Sequence, residues 1–395
     1  MKVKKMNPLK VALVNNFPPY SGTGRVAYEL FKNLRGEQSG KVEADLFCTH
    51  FMRRGEASWE VNKNVKFLHN FAYKEHENLS RVLIYFVDPY RIPKGYDIYH
   101  VTNHMLGRFA SVRRPSVVTV HDVLQFKYRE NFGSIFSSLI YNFLMDKSIK
   151  SLTRTTHIIS VSFWSADQVS AILNIPREKI SVVYNGLDHA LFYPREKWES
   201  RKKLNLPLDA KIILNLGSEI RRKNLGTLFK SLRLIVDKNP KVILLRIGEK
   251  TAAISKLIDD LRLSENIRYL NFVPESDLPY VYSSADVLVI PSHEEGFGFP
   301  VIEAQACGLP VIASRRSSLP EIGGSNCFYI EREEDEVLLA EMISDVILAP
   351  LPRLETLIEG GIDNAGKFSW EKNARETLDV YEEVLSKNGK VGKLE

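Results

Sequence analysis

The sequence predicts an α/β protein built from two doubly wound domains in series. Three observations carry this. Short β-branched runs alternate with helix-patterned segments along the whole chain, a polar stretch near the middle interrupts the alternation, and no short repeat or low-complexity tract competes with it. In the first half the candidate strands are Lys10–Asn15, Val42–Cys48, Val65–His69, Asp97–Val101, Ser116–His121, His157–Val161 and Ile180–Tyr184. In the second they are Lys211–Gly217, Lys241–Ile247, Ile267–Phe272, Asp286–Pro291, Leu309–Ser314 and Asn326–Ile330. Between the sets, His189 to Pro207 is polar, holds two prolines and the basic run Arg201-Lys202-Lys203, and reads as an interdomain linker. The expected division is 1–190 for the first domain, 191–208 for the linker, 209–368 for the second domain and 369–388 for a last helix.

Composition narrows the class. The 395 residues carry 54 Lys+Arg against 48 Asp+Glu, a net +6, and 44% are hydrophobic, as a globular protein of two or three domains requires. No stretch approaches the roughly 18 apolar residues of a membrane span, and Met1 to Lys10 lacks an apolar h-region, so neither secretion nor a membrane anchor is expected. Cys48, Cys307 and Cys327 are too few for a disulfide framework and wrongly spaced for zinc, which points to a reducing, cytosolic compartment. The charge is segregated: residues 1–190 hold 26 basic and 16 acidic side chains, a net +10, leaving −4 for residues 191–395. An anionic partner of the first half follows, whether nucleic acid, membrane surface or phosphorylated substrate.

In doubly wound domains ligands bind outside the carboxyl ends of the strands. After the first strand, Gly22-Thr23-Gly24-Arg25-Val26-Ala27 opens a helix and satisfies the dinucleotide pattern G-x-G-x-x-G/A. In that pattern the strand turns directly into the first glycine, whereas here Gly22 comes six positions after Asn16, with two prolines among the residues between. A nicotinamide dehydrogenase is therefore the weaker reading. A turn with no ligand stays open beside a loop whose Gly22 and Gly24 bring backbone amides to a diphosphate or a sugar.

The most informative segment runs from Asp286 to Ser314. A strand ends at Pro291, a loop with glycines follows, and Pro300 marks a helix start. Glu295 falls in the loop and Glu303 about one turn into the helix, with seven residues between them. Two such carboxylates can each accept hydrogen bonds from vicinal hydroxyls, and the amides of Phe297, Gly298 and Phe299 serve the same ligand. Taken alone, Glu303 could complement the helix dipole and Glu295 could be a solvated loop charge.

With its surroundings the segment resembles the signature of the retaining glycosyltransferases of family 4, which have the GT-B fold of two Rossmann-like domains facing an interdomain cleft. The similarity covers nearly the whole chain: Ile159 to Trp164, Lys179 to Asp188, Gly217 to Asn224 and Ser318 to Ile322 match in order. The resemblance implies that Glu303 holds the donor ribose, Glu295 the transferred sugar and the Val273 backbone the nucleobase. His121, at the carboxyl end of a buried strand, would hydrogen-bond the donor sugar near its anomeric centre, facing Glu295 across the cleft; without the resemblance it would read as a core histidine. The last helix would cross back onto the first domain.

The nucleoside diphosphate that leaves needs its charge stabilised by a metal or by side-chain cations. The chain contains no D-x-D, so no metal and no other cofactor is expected. Arg222 and Lys223 stand after a strand and near a helix N-terminus, where they can face one anion. Lys223 matches the family's lysine six residues after Gly217, while Ser218 stands where many members have arginine, leaving Arg222 to supply the guanidinium. The form Gly217-Ser218-Glu219-Ile220-Arg221-Arg222-Lys223-Asn224 is similar to the branch that includes many mannosyltransferases, which favours GDP-mannose. UDP- or ADP-sugar donors, a non-catalytic sugar-nucleotide sensor and an epimerase of related fold are the alternatives, and the chain is short for a pyridoxal-dependent phosphorylase.

In this fold the amino-terminal domain receives the acceptor, and its +10 charge favours an anionic glycan or a lipid-linked acceptor over nucleic acid. From Ser134 to Met145, Ile135, Phe136, Leu139, Ile140, Phe143 and Leu144 recur at helical spacing ahead of Lys147 and Lys150, which suits either core or a membrane-surface helix. The second reading predicts salt-sensitive association with anionic vesicles. Binding indifferent to ionic strength, or none, would contradict it.

Overall fold

The computed structural model describes residues 7–19, 21–36, 38, 40–49, 64–69, 77–123 and 135–389. It divides into two compact units, Met1–Gly186 with Trp370–Glu395, and Leu187–Ser369. The first contains β1 (Leu9–Asn15), β2 (Val42–Cys48), β3 (Val65–Phe67), β4 (Ile98–Val101), β5 (Ser116–Val120), β6 (His157–Ser160) and β7 (Ile180–Val182). The second contains β8 (Lys211–Leu216), β9 (Val242–Ile247), β10 (Ile267–Leu270), β11 (Val287–Ile290), β12 (Val311–Ser314) and β13 (Phe328–Ile330). Each expected strand is present, several trimmed where proline, glycine or a polar residue leaves the ladder.

Both sheets are parallel and share one topology. The first runs β3-β2-β1-β4-β5-β6-β7 and the second β10-β9-β8-β11-β12-β13. Buried on both faces, such strands are near-continuous apolar runs. β1 shows how: Val11 and Leu13 join the core on one face, Ala12 and Val14 the core on the other. In each sheet the order reverses beside the first strand, between β1 and β4 and between β8 and β11. In sheets of this kind ligands bind outside the carboxyl ends of the strands at such a reversal.

The stretch expected to be a linker is structured. Its helix Lys197–Lys203 and all of Leu187 to Leu208 belong to the second unit, so the division falls at Gly186. The reason is Arg201, only 4% exposed. Its guanidinium pairs with Asp286 at 2.8 Å and donates to the carbonyls of Ser284, Leu208 and Ala210. A buried arginine is tolerated when its donors are met, and this one fixes the polar segment to the strands beside it.

The helix Trp370–Lys387 packs on the first unit, sending Leu378, Tyr381, Val384 and Leu385 into the core that holds Val11 and Leu13. A buried polar link adds to it: His100 on β4 lies 2.6 Å from the Tyr381 hydroxyl through Nδ1 and 2.8 Å from Thr119 Oγ1 through Nε2. The helix Ile135–Lys150 is mixed. Met145 and Ile149 are core, while Leu139 and Phe143 are exposed, and Lys147 lies over the Phe143 ring. Ser134 and the side chains of Ile135, Phe136 and Ile140 lie outside the described residues. Among the described residues no helix is long and apolar enough to cross a membrane.

Burial holds the His100 imidazole neutral, its pKa lowered from 6.5 to about 3, and that of His121 to about 4. In the unfolded chain both would take up a proton near pH 6.5, so acid favours unfolding. Urea titrations should show stability falling from about pH 7 to about pH 5, with a limiting slope below pH 6.5 of about 1.4 kcal/mol per pH unit for each histidine. His100→Asn should lessen the slope; a flat wild-type profile over that interval would contradict the assignment.

Candidate active site

In the second unit the chain leaves β8 through Gly217, whose φ of 122° lies in the region that favours glycine. Lys223 lies against this glycine, where a Cβ would make ordinary contact with its Cε at 3.4 Å and Nζ at 3.5 Å, so it is the backbone conformation that calls for glycine. A single turn, Arg221–Lys223, precedes the helix Leu225–Lys238. Asn224, at φ 51°, joins them and donates through Nδ2 to the carbonyls of Pro291 at 3.2 Å and Glu333 at 2.6 Å. The basic turn is thereby anchored to the loop that follows β11.

That loop, Pro291 to Gly298, carries Glu295, which is 8% exposed. Lys223 Nζ donates to its Oε1 at 2.6 Å, and Arg222 Nη1 to its Oε2 at 2.9 Å and to the Glu294 carbonyl at 2.9 Å. The Glu295 amide donates to Ser317 Oγ at 2.8 Å, and the Ser318 hydroxyl lies 2.9 Å from the Glu295 carbonyl and 2.8 Å from that of Phe297. Burial alone would push the carboxyl pKa up. The Lys223 ammonium and the Arg222 guanidinium outweigh it and hold the group at about 2. At neutral pH the three side chains form a fixed cation–carboxylate–cation cluster at the reversal point of the sheet.

Glu303 is the fifth residue of the helix Phe299–Ala306, which starts after Gly298 with φ 109° and has Pro300 in its first turn. It is 4% exposed and accepts a hydrogen bond of 2.6 Å from the Tyr282 hydroxyl. Phe297 is buried, its ring edge-on to those of Phe299 and Phe368. Val273 is half-buried in the loop after β10, two strands away from β8 in the sheet order. Glu219 accepts from the Thr251 amide at 2.6 Å and the Tyr269 hydroxyl at 2.8 Å, tying the loops after β8 and β9 to β10.

In the first unit His121 follows β5 directly, and its Nε2 lies 2.9 Å from the Thr102 carbonyl. A carbonyl only accepts, so Nε2 carries the proton and Nδ1 presents a lone pair. The helix Gly22–Arg35 begins at Gly22, with Ser21 as its cap. The Gly24 amide is engaged by Ser21 Oγ at 3.0 Å, and a Cβ at Gly24 would lie 1.8 Å from the Pro18 carbonyl oxygen. Gly24 thus serves the close approach of Phe17-Pro18 to the helix start, and its amide is not available to an anion.

Tyr282, Glu219 and the serines at 317 and 318 were not expected as site residues. A tyrosine with its hydroxyl buried needs a partner, which is the signal the sequence offered for Tyr282. Among the described residues no group of three or more His, Cys, Asp or Glu is placed to hold a metal ion.

The second of the two parallel-sheet units thus holds a buried carboxylate between two cations where its sheet reverses. Residues 20–191 match the family described as Glycosyltransferase Family 4, and residues 196–362 the family described as Glycosyl transferases group 1. The chain belongs to the group 1 glycosyltransferases of family 4. It is 28% identical over 223 residues to the O-antigen chain mannosyltransferase RfbU of Salmonella typhimurium, covering 56% of this chain and 58% of that protein, little more than half its length. The D-inositol 3-phosphate glycosyltransferase 1 of Catenulispora acidiphila is 27% identical over 313 residues, covering 75% of this chain and 74% of its own. Among solved structures, sucrose-phosphate synthase from Thermosynechococcus elongatus superposes with a TM-score of 0.73 at 22% identity, over 96% of this chain and 100% of that one.

Proposed function

We propose that this glycosyltransferase moves a hexose, with retention of anomeric configuration and without a metal, from a nucleoside diphosphate sugar to a hydroxyl of a glycan or lipid-linked acceptor. The observation that supports it most is the convergence of Arg222 and Lys223 on one buried anionic position between β8 and β11. Two cations fixed there can stabilise the charge that develops on the departing diphosphate. The bond from the acceptor oxygen to the anomeric carbon forms as the bond from that carbon to the phosphate oxygen breaks. The departing phosphate oxygen takes the hydroxyl proton on the same face, so no separate base is needed. The family resemblance gives Glu303 the ribose and Glu295 the sugar hydroxyls. His121, kept neutral by burial with its Nε2 proton spent on Thr102, has Nδ1 left to accept from a sugar hydroxyl.

Mannose from GDP-mannose is the favoured donor, supported by the basic turn Arg221–Lys223 and by the mannosyltransferase among the relatives. The match to a D-inositol 3-phosphate glycosyltransferase means that the relatives are not all mannosyltransferases, and UDP- or ADP-sugars are the alternative donors. The charge of the first half and the exposed Leu139, Phe143 and Lys147 favour an anionic or membrane-borne acceptor and a place at the cytoplasmic membrane face. Donor turnover, followed as nucleoside diphosphate release in EDTA, should fall at least about 100-fold in both Lys223→Ala and Glu303→Ala. Unchanged turnover in both would overturn the site assignment.

A further inference from the structure

The cations assigned to the diphosphate are already bound, and by the residue assigned to the sugar. Both oxygens of Glu295 are engaged, Oε1 by Lys223 at 2.6 Å and Oε2 by Arg222 at 2.9 Å, and the backbone on either side of that carboxylate is pinned by Ser317 and Ser318. An incoming diphosphate therefore meets an internal anion on its own binding groups. We propose that Glu295 is a specificity device that competes with the diphosphate for Arg222 and Lys223, so that a sugar-bearing donor is accepted and a bare nucleoside diphosphate is disfavoured. This rests on the donor-site reading given above and adds a discrimination to it.

The fate of the displaced carboxylate decides which ligand is accepted. Glu295 is buried, and a buried charge without partners carries a large desolvation cost. When the entering diphosphate bears a sugar, vicinal hydroxyls can donate to both carboxylate oxygens in place of the two cations, and the displacement is offset. When the diphosphate is bare, nothing takes their place and the carboxylate keeps only its hydrogen bond with the Ser292 side chain. The product that leaves after transfer is the bare form, so the same contact that opposes its entry drives its release: Glu295 returns to Lys223 and Arg222 as the nucleotide departs. The apparent affinity for the bare diphosphate is scaled by the fraction of molecules in which the cations are free of Glu295, and removing the competitor removes that factor.

The test is isothermal titration of the full chain with GDP, UDP and ADP, then with the sugar conjugate of whichever binds. The proteins are wild type, Glu295→Gln, Glu295→Ala and Lys223→Ala. Either Glu295 variant should bind the bare diphosphate about tenfold more tightly than wild type, with the ratio of sugar-conjugate to bare-diphosphate affinity falling, as expected for a competitor present in about nine molecules of ten. Lys223→Ala should weaken both ligands. Equal or weaker binding of the bare diphosphate by the folded Glu295 variants, alongside a weakened Lys223→Ala, overturns the proposal and leaves the donor site standing. Affinity unmoved in Lys223→Ala, or no binding of any of the three by wild type, overturns the donor site itself.

Discussion

A buried carboxylate between a lysine and an arginine is the contact around which the loops after β8 and β11 are arranged. Removing two or three charged groups from water is costly, and the cost is met only if the geometry is good and the remaining hydrogen bonds are satisfied. Much of the surrounding structure does this. Gly217 takes the positive φ that turns the chain out of β8, Asn224 ties the basic turn to Pro291 and Glu333, and Ser317 and Ser318 hold the backbone of the acidic loop. The parallel sheet supplies the frame: β8 and β11 are neighbours whose outgoing loops diverge, so residues far apart in sequence meet at one anionic position.

A second polar arrangement organises the first unit. His100 and Tyr381, 281 positions apart, meet inside an apolar core and join the carboxyl-terminal helix to the sheet of the amino-terminal half. The chain therefore leaves the first unit at Gly186 and returns to it at Trp370, with the second unit as a long insertion between. Each unit is closed by polar groups whose partners are fixed, and a buried hydrogen bond of this kind is worth most as the penalty for breaking it.

Much of this was legible in the sequence because fully buried parallel strands leave a plain signal. Val11 to Val14 and Val287 to Ile290 are apolar on both faces, and Val117 to Val120 is so but for Thr119, so they could hardly be anything else. The places of Lys223 after β8 and of Glu295 and Glu303 after β11 were legible from spacing and from the order of motifs around them. Arg201 was not. Its segment has the composition of a solvated linker, and only the Asp286 carboxylate and three carbonyls, supplied by other parts of the chain, make it interior. Tyr282 and Glu219 escaped for the same reason, since a hydrogen-bond partner on another element leaves no local pattern. Gly24 fitted a ligand-binding motif, yet it is the Pro18 carbonyl that requires its missing side chain.

The central claim is that Arg222 and Lys223 form a diphosphate site read together with a sugar. Thermal-shift screening of wild type and Lys223→Ala against GDP, UDP, ADP and their sugar conjugates tests it most directly, because a ligand that binds the native state alone raises its melting temperature. The account predicts that one nucleotide sugar raises the melting temperature of wild type more than its own bare diphosphate does, and that the shift disappears in Lys223→Ala. A shift that survives in Lys223→Ala, or none with any nucleotide sugar, would contradict it.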